Sequence, residues 1–497
     1  MKWTLYNVLF AAVYPFLLPG FLIRMLRRGG YAARIGDRFA LYPDGLFGND
    51  RPLFDSHAHQ SNNRTIEQSN DSPVWIHAVS VGEVQVAGQL MREWRKVEPT
   101  VRFCFSTTSS TGWKIAEKEL ASINSSTAQS LNRLTASDVL IYNPLDFPNF
   151  VKSALRTVRP RAIVLTESEI WPNFILQAKK MGIPLFLINA RVSDRSAPRY
   201  KAAKWFFGDV LSSFTRIFAQ SDLDKARLVA AGAPDEKVEV TGSFKFDVAH
   251  RNEAKEKELR EWIFGDEAAK NAKDAKILLG GSTWPGEDEV LLKIYKRLIE
   301  QSNNPNNRTI LVIAPRHFEK ADAVEANIRK AGFACVRRSR EVEKRGVGGQ
   351  RCEDFAVHLH LSSPPVYLAD TTGELMGLYG IADVVFVGKS LCAHGSQNMI
   401  EPCLCGKPTF VGPYTENFRP VMSDLLAADA IVQVKDAGEL ERGIVELFAS
   451  LTSGKDSASP LIGGKDSASL LGARARAAVE KRLGVVAKCV SEIRGVL

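Results

Sequence analysis

Short apolar runs, each closed by a small or acidic turn and followed by a helical stripe, recur along the whole chain. Residues 74–79 run into Ser80-Val81-Gly82-Glu83, after which Val86, Ala87, Leu90, Met91, Trp94 and Val97 fall on one stripe. That spacing predicts a buried strand, a tight turn and a helix start. The unit repeats at 101–106 before a Thr/Ser-rich turn, at 139–142, and at 162–165 before Thr166-Glu167-Ser168-Glu169. It repeats again at 185–189, 216–219 and 238–241. Strands separated by helices at this spacing predict an α/β fold with a parallel, doubly wound sheet.

The turn Thr241-Gly242-Ser243-Phe244-Lys245-Phe246-Asp247 and the charged stretch 253–261 mark a domain boundary. A second alternating pattern follows. Residues 276–279 lead to Gly280-Gly281-Ser282, 309–314 to Pro315-Arg316-His317, 366–368 to Asp370 through Leu375, and 384–387 to Gly388-Lys389-Ser390. Residues 474–493 read as one terminal helix. Polar insertions at 55–71, 122–137 and 337–350 interrupt the pattern, and a tandem duplication (454–459 again at 464–469) reads as an expanded loop. The expected organisation is an anchor at 1–28, a first domain at 29–247, a second at 248–472 and a terminal helix at 473–497.

The N-terminus departs from this pattern. Residues 3–23 are almost wholly apolar, and Arg24, Arg27, Arg28, Arg34 and Arg38 follow. The run reaches the roughly 20 residues that a crossing requires, and the arginines would hold the main body on the cytoplasmic side. Pro15 and Pro19 leave the alternative of a bent helix lying in the interface. A cleaved signal peptide fits less well, because only Lys2 precedes the run. Either form of attachment makes the membrane surface an expected partner.

Basic residues exceed acidic ones by 65 − 56 = 9 over 497 residues, which suits anionic partners. No Lys/Arg-rich run and no nucleic-acid-binding motif is present, so nucleic acid is not an expected partner. Seven cysteines without a C-x-x-C pair read as buried thiols. His57 and His59 lack a third ligand nearby, so no metal site is expected.

Four places carry candidate chemistry. Ser80 and Glu83 have the S-x-x-E spacing of a capping box, which by itself needs no chemistry. The same turn ends a strand, where ligands of open α/β sheets collect and a carboxylate can act as a base. Glu167 and Glu169 repeat the situation, although the helix macrodipole alone favours acids there. Arg316 suits phosphate or carboxylate, or a surface salt bridge. The turn His394-Gly395-Ser396-Gln397 feeds a helix start at Asn398-Met399-Ile400-Glu401, offering free backbone N–H groups to a phosphate. Glu401 would reach a ribose hydroxyl pair from there.

Taken together, the chain resembles the Kdo (3-deoxy-D-manno-octulosonic acid) transferases of glycosyltransferase family 30. The likeness rests on motifs in family order: Arg34-Ile35-Gly36-Asp37-Arg38, residues 77–83, residues 166–173 with Trp171-Pro172-Asn173, and Asn189-Ala190-Arg191-Val192-Ser193. Residues 242–247, Pro315-Arg316-His317, Gly373-Glu374-Leu375 and residues 398–402 complete it. The chain departs from the family's usual Gly-Gly at Gly388-Lys389 and from its Gly-His at Ser396-Gln397.

The resemblance implies a GT-B fold, two Rossmann-like domains facing a cleft, with an N-terminal membrane anchor helix. It implies inverting transfer from CMP-Kdo to the lipid A precursor (lipid IV-A) at the cytoplasmic face of the inner membrane, without cofactor or metal. By the same resemblance Glu83 is the general base, and Glu167 and Lys245 stabilise the transition state. Pro315, Arg316, Gly373, Glu374, Leu375, Asn398, Met399, Ile400 and Glu401 form the CMP pocket. A UDP-sugar-dependent GT-B transferase and a non-catalytic, membrane-anchored nucleotide-sugar or lipid A binder are the alternatives.

Overall fold

Strand β1 (Val74–His77) is buried along its whole length, because its alternating side chains enter two different cores. Val74 and Ile76 pack with Phe103, Phe105, Val164 and Phe186 on one face, while Trp75 joins Ile163, Leu165 and Leu187 on the other. Helices cover both faces, as a parallel sheet requires. The computed structural model describes residues 2–28, 32–47, 72–131, 138–247, 252–271, 275–301, 309–340, 342, 364–453 and 468–497. They divide into two units, one of residues 1–248 with 484–497, the other of residues 249–483.

In the first unit β1 is followed by β2 (Phe103–Thr107), β3 (Val139–Tyr142), β4 (Ala162–Thr166), β5 (Leu185–Ala190), β6 (Arg216–Ala219) and β7 (Val238–Val240). All pairs are parallel, in the order β3-β2-β1-β4-β5-β6-β7. The chain winds outward from β1 to β3, then returns to lay β4 beside β1. That neighbouring but non-consecutive pair is the topological switch point, where ligands of such sheets bind.

The second unit repeats the plan with β8 (Lys276–Thr283), β9 (Thr309–Pro315), β10 (Cys335–Arg337), β11 (Val366–Leu368), β12 (Val384–Val387), β13 (Thr409–Val411) and β14 (Val432–Gln433). Its parallel order is β10-β11-β9-β8-β12-β13-β14, with the switch between β8 and β12. The two doubly wound sheets are as the sequence predicts.

Three expectations change. The single terminal helix is two helices, Ala468–Glu480 and Val485–Arg494, separated by Gly484 at φ +84. The second one belongs to the first unit. Val485, Val486, Cys489, Val490 and Ile493 enter its core, and the Asp247 carboxylate accepts from Gly484 N–H (2.8 Å) and Val486 N–H (2.7 Å). The polar stretch expected from residue 122 begins as helix, since Ser110–Leu131 is continuous. The insertion at 55–71 with His57 and His59, and the duplication up to residue 467, lie outside the described residues.

The N-terminal run is a helix, Lys2–Arg28, but no helix among the described residues is long and apolar enough to cross a membrane. One face of its first turns packs on the first unit. Trp3 and Tyr6 meet Phe206, Phe10 and Tyr14 meet Phe147, the Tyr6 hydroxyl donates to Asp146 (3.1 Å), and Asn7 accepts from Asn173 (2.8 Å). Leu5, Val8, Leu9, Val13 and Phe16 form an exposed apolar face at helical spacing.

Candidate active site

Glu83 performs the capping that its spacing predicts. Ser80 is the N-cap of the helix Val81–Val97, and its hydroxyl accepts from Glu83 N–H (3.3 Å). The carboxylate answers with one bond more than a cap needs. Oε1 accepts from the Ser80 hydroxyl (2.8 Å), and Oε2 accepts from Val79 N–H (2.9 Å). The Thr166 hydroxyl, at the end of β4, lies 3.2 Å from Oε2 and 3.0 Å from the His77 carbonyl, which share its one proton. Glu83 is thereby tied across the switch point to the turn that carries Glu167 and Glu169. A carboxylate accepts at about four lone-pair positions, so three donors leave one for a substrate hydroxyl.

Glu167 sits directly after β4 with φ +51, a left-handed conformation uncommon for a side chain of its kind. Residues held in such regions cluster at functional sites. Its Oε1 accepts from Asn189 Nδ2 (3.3 Å), and Arg191 Nε lies 3.9 Å from Oε2. Burial pushes its pKa up, the Arg191 charge opposes this, Glu83 adds to it, and Lys245 opposes it again. Burial, then the charges of Glu83 and Glu167, push Glu169 up to about 7 against the pull of the Trp171 indole N–H, which donates to it (3.0 Å). Lys245, in the turn after β7, is pushed down by burial and held up by Glu167.

Thus β1, β4, β5 and the turn after β7 bring Glu83, Glu167, Glu169, Arg191 and Lys245 to one sheet edge. The two acidic turns lie side by side there, Thr166 reaching Glu83 and the Glu83 charge acting on Glu169. His77, at the end of β1, is held by Ser106 through Nδ1 (2.9 Å) and is pushed down to about 3 by burial, which keeps it uncharged.

In the second unit a pocket is lined by Ser282, Pro315, Arg316, Gly373, Glu374 and Leu375, so five of the expected nucleotide residues meet there. Arg316 is exposed and has no carboxylate within 4.0 Å among the described residues, which removes the salt-bridge reading. Glu374 is committed elsewhere. It binds the fully enclosed Arg338 through Nε (3.1 Å) and Nη2 (2.9 Å), and also Lys255 and Thr371. These donors hold its pKa below the ordinary value despite burial.

Asn398, Met399, Ile400 and Glu401 do not line that pocket, although the Arg316 charge acts on Glu401. The helix they open, Ile400–Leu404, is five residues long. Its approach is less open to an anion than expected. The N–H groups of Ser396, Gln397 and Ile400 already donate to Lys389 O (2.7 Å), Gly388 O (3.0 Å) and Asn398 Oδ1 (3.1 Å). Asn398 Nδ2 donates to Glu401 (3.0 Å), whose pKa burial raises.

Three residues assigned no role in the sequence reading organise these sites. Asn189, buried at φ +51, accepts from Phe244 N–H (3.1 Å) while it donates to Glu167. Thr166 bridges β4 to Glu83. Glu287, wholly buried, accepts five backbone N–H groups, those of Trp284, Lys389, Ser390, Leu391 and Cys392, at 2.8 to 3.4 Å. The spacing Gly286-Glu287 after a strand, matching Gly82-Glu83, is the signal that points to Glu287.

Two doubly wound units, each with polar residues at its switch point, resemble the architecture of glycosyltransferases. The fold is similar to that of a glycosyltransferase from Rickettsia africae ESF-5, with TM-score 0.51, 12% identity and coverage of 86% of this chain and 98% of that one. Residues 34–248 match the 3-deoxy-D-manno-octulosonic-acid transferase (kdotransferase) family.

Over 384 residues the chain is 32% identical to the 3-deoxy-D-manno-octulosonic acid transferase of Haemophilus influenzae, covering 76% of this chain and 80% of that one. It is 33% identical over 370 residues to the transferase of the same name from Bordetella pertussis, covering 74% and 77%. A bifunctional glycosyltransferase/methyltransferase of Fusobacterium nucleatum is 29% identical over 373 residues, 75% of this chain, which spans 52% of that longer protein. The chain belongs to the Kdo transferase family and is a glycosyltransferase.

Proposed function

We propose that the protein transfers Kdo from CMP-Kdo to a bis-phosphorylated lipid A precursor, with inversion, as a step of lipopolysaccharide biosynthesis at the cytoplasmic face of the inner membrane. The observation that carries this reading is the acidic switch point, where Glu83 is anchored by Val79, Ser80 and Thr166 beside the charges of Glu167 and Glu169. Glu83 takes the proton of the acceptor hydroxyl as its oxygen attacks the anomeric carbon. The bond from that carbon to the phosphate oxygen breaks, and CMP leaves with the bonding pair. Attack opposite the leaving group inverts the centre, and one carboxylate suffices as base. Glu167, Arg191 and Lys245 form a fixed set of charges at the same edge, suited to the oxocarbenium-like transition state.

On this reading the second unit's pocket takes CMP, with Arg316 as the cation for its phosphate. The exposed apolar face of the N-terminal helix and the arginines near its end support attachment in the plane of the membrane interface. Co-sedimentation with anionic lipid vesicles tests that point: full-length protein pelleting no better than a form lacking residues 2–28 refutes it.

The deciding experiment incubates the full chain with CMP-Kdo and the tetraacylated lipid A precursor and weighs the products. A mass increase of one or more Kdo units with stoichiometric CMP release is expected. CMP release only with another acceptor, or turnover only with a UDP-sugar, rejects the reading.

A further inference from the structure

The second switch point carries a cation that no assigned role uses. Lys389 lies just past β12, separated from it by Gly388, and Ser282 is the penultimate residue of β8, so the two residues stand on either side of the β8/β12 junction. Both have left-handed backbones, φ +56 for Lys389 and +52 for Ser282. Strain of this kind persists only where the surroundings enforce it.

Here the enforcement is visible. Glu287 accepts the Lys389 N–H (2.9 Å) and the three N–H groups that follow, and Gly388 approaches Ser282 and Thr283 so closely that a Cβ there would strike their backbone. The loop is thus pinned to the strand edge, with Lys389 at its tip.

The side chain has no counter-charge. No carboxylate among the described residues pairs with the Lys389 ammonium, which lies 4.8 Å from the ring centroid of Trp284. The indole N–H of Trp284 is enclosed and has no acceptor. Its ring packs edge-on to His317 at 5.4 Å, and Arg316 N–H donates to the Thr283 carbonyl (3.0 Å). A continuous set of contacts therefore runs along the edge from Arg316 and His317, through Thr283 and Trp284, to Lys389. Its two cations, Arg316 and Lys389, lack acidic partners within 4.0 Å among the described residues, while Ser282 and Arg316 also line the pocket. Cations without an ion-pair partner at a switch point suit an anion.

We infer that Lys389 contacts the phosphate of the nucleoside monophosphate in the second unit's pocket, as a second cation beside Arg316. The inference rests on the nucleotide reading of that pocket given above. Its chemistry is a charge-assisted hydrogen bond that stabilises the leaving dianion more than the donor's monoanion. The aromatic face of Trp284 holds the ammonium without neutralising it.

The left-handed backbone supplies a clean test, because Lys389→Gly removes the side chain, suits φ +56 and keeps the N–H bond to Glu287. Binding of CMP, cytidine and CMP-Kdo to the full-length protein is measured for wild type, Lys389→Gly and Lys389→Arg, at low and high salt. Lys389→Gly should weaken CMP about tenfold, leave cytidine unchanged and flatten the salt dependence. Lys389→Arg should retain most of the affinity.

Unchanged CMP affinity in Lys389→Gly overturns the inference, as does an equal loss for CMP and cytidine, which marks a structural role. Loss confined to CMP-Kdo also overturns it, because the cation then meets the sugar carboxylate. A wild-type protein that binds no CMP refutes the nucleotide reading itself, a result distinct from all of these.

Discussion

The carboxamide of Asn189 donates to Glu167 across 3.3 Å, and its oxygen accepts the N–H of Phe244, the residue before Lys245. One side chain thus sets the separation between an acid and a base that stand 245 − 167 = 78 positions apart in the sequence. Asn189→Ala leaves the buried Phe244 N–H without an acceptor, which costs about 1–3 kcal/mol. Urea denaturation should register that loss. Steady-state kinetics should show a fall in kcat exceeding any rise in KM, since the charges near the reacting centre lose their fixed placement.

Glu83→Gln keeps an acceptor oxygen for Val79 N–H and the Thr166 hydroxyl, turns an amide donor toward the Ser80 hydroxyl, and removes the proposed base. Transfer should fall by roughly 10²–10⁴, with CMP affinity unchanged and the melting temperature close to wild type. Glu83→Ala should add a capping loss of about 1 kcal/mol. Nearly full activity in Glu83→Gln would leave Glu83 as a cap alone.

Glu169 gives the pH dependence its sign. Its pKa is raised from 4.5 to about 7 in the folded protein, by burial first and the Glu83 charge second. The folded state therefore binds the proton more tightly than the unfolded state. Its stabilising contribution is complete below about pH 4.5 and is lost as pH rises through 7. Glu169→Gln, which imitates the protonated form, should exceed wild type in stability by about 1–2 kcal/mol at pH 8, an advantage that fades toward pH 5. Denaturant titrations at the two pH values check this. An equal difference at both would remove Glu169 titration as the cause.

Glu374 and Arg316 line one pocket but should respond differently to substitution. Glu374→Ala strips the wholly buried Arg338 of the carboxylate that binds both its Nε and Nη2, leaving Glu258 alone to oppose the charge. Stability should fall by about 3 kcal/mol. Arg316→Ala breaks no ion pair and should leave the melting temperature unchanged while weakening CMP roughly tenfold or more. Calorimetry of unfolding and of CMP binding on both variants separates the roles.

The strands were legible because their signals are local. A run such as 162–165 is apolar for its whole length, and the turn residues that close it follow at once. The cap at Ser80 and Glu83 was legible for the same reason, being a contact of three residues' span. The N-terminal run has two readings. Its hydropathy reads as membrane affinity, but Tyr6 and Phe10 also bury against Asp146 and Phe147, and no composition distinguishes the two destinations.

Sequence alone determined the two doubly wound sheets, their boundary near residue 247 and the acidic and basic turns at the strand ends, because periodicity and turn chemistry are written within a few residues. Tertiary structure alone decided which turns meet. Parallel pairing set β4 beside β1, bringing Thr166 to Glu83 across 83 positions of sequence. It likewise set β12 beside β8, bringing the Lys389 loop to Glu287 across 102 positions. It returned Val485–Arg494 to the first unit, where Asp247 receives the helix start. Contacts at such separations repay the entropy of closing their loops only when both partners are already held by the sheet, and no local pattern encodes that condition.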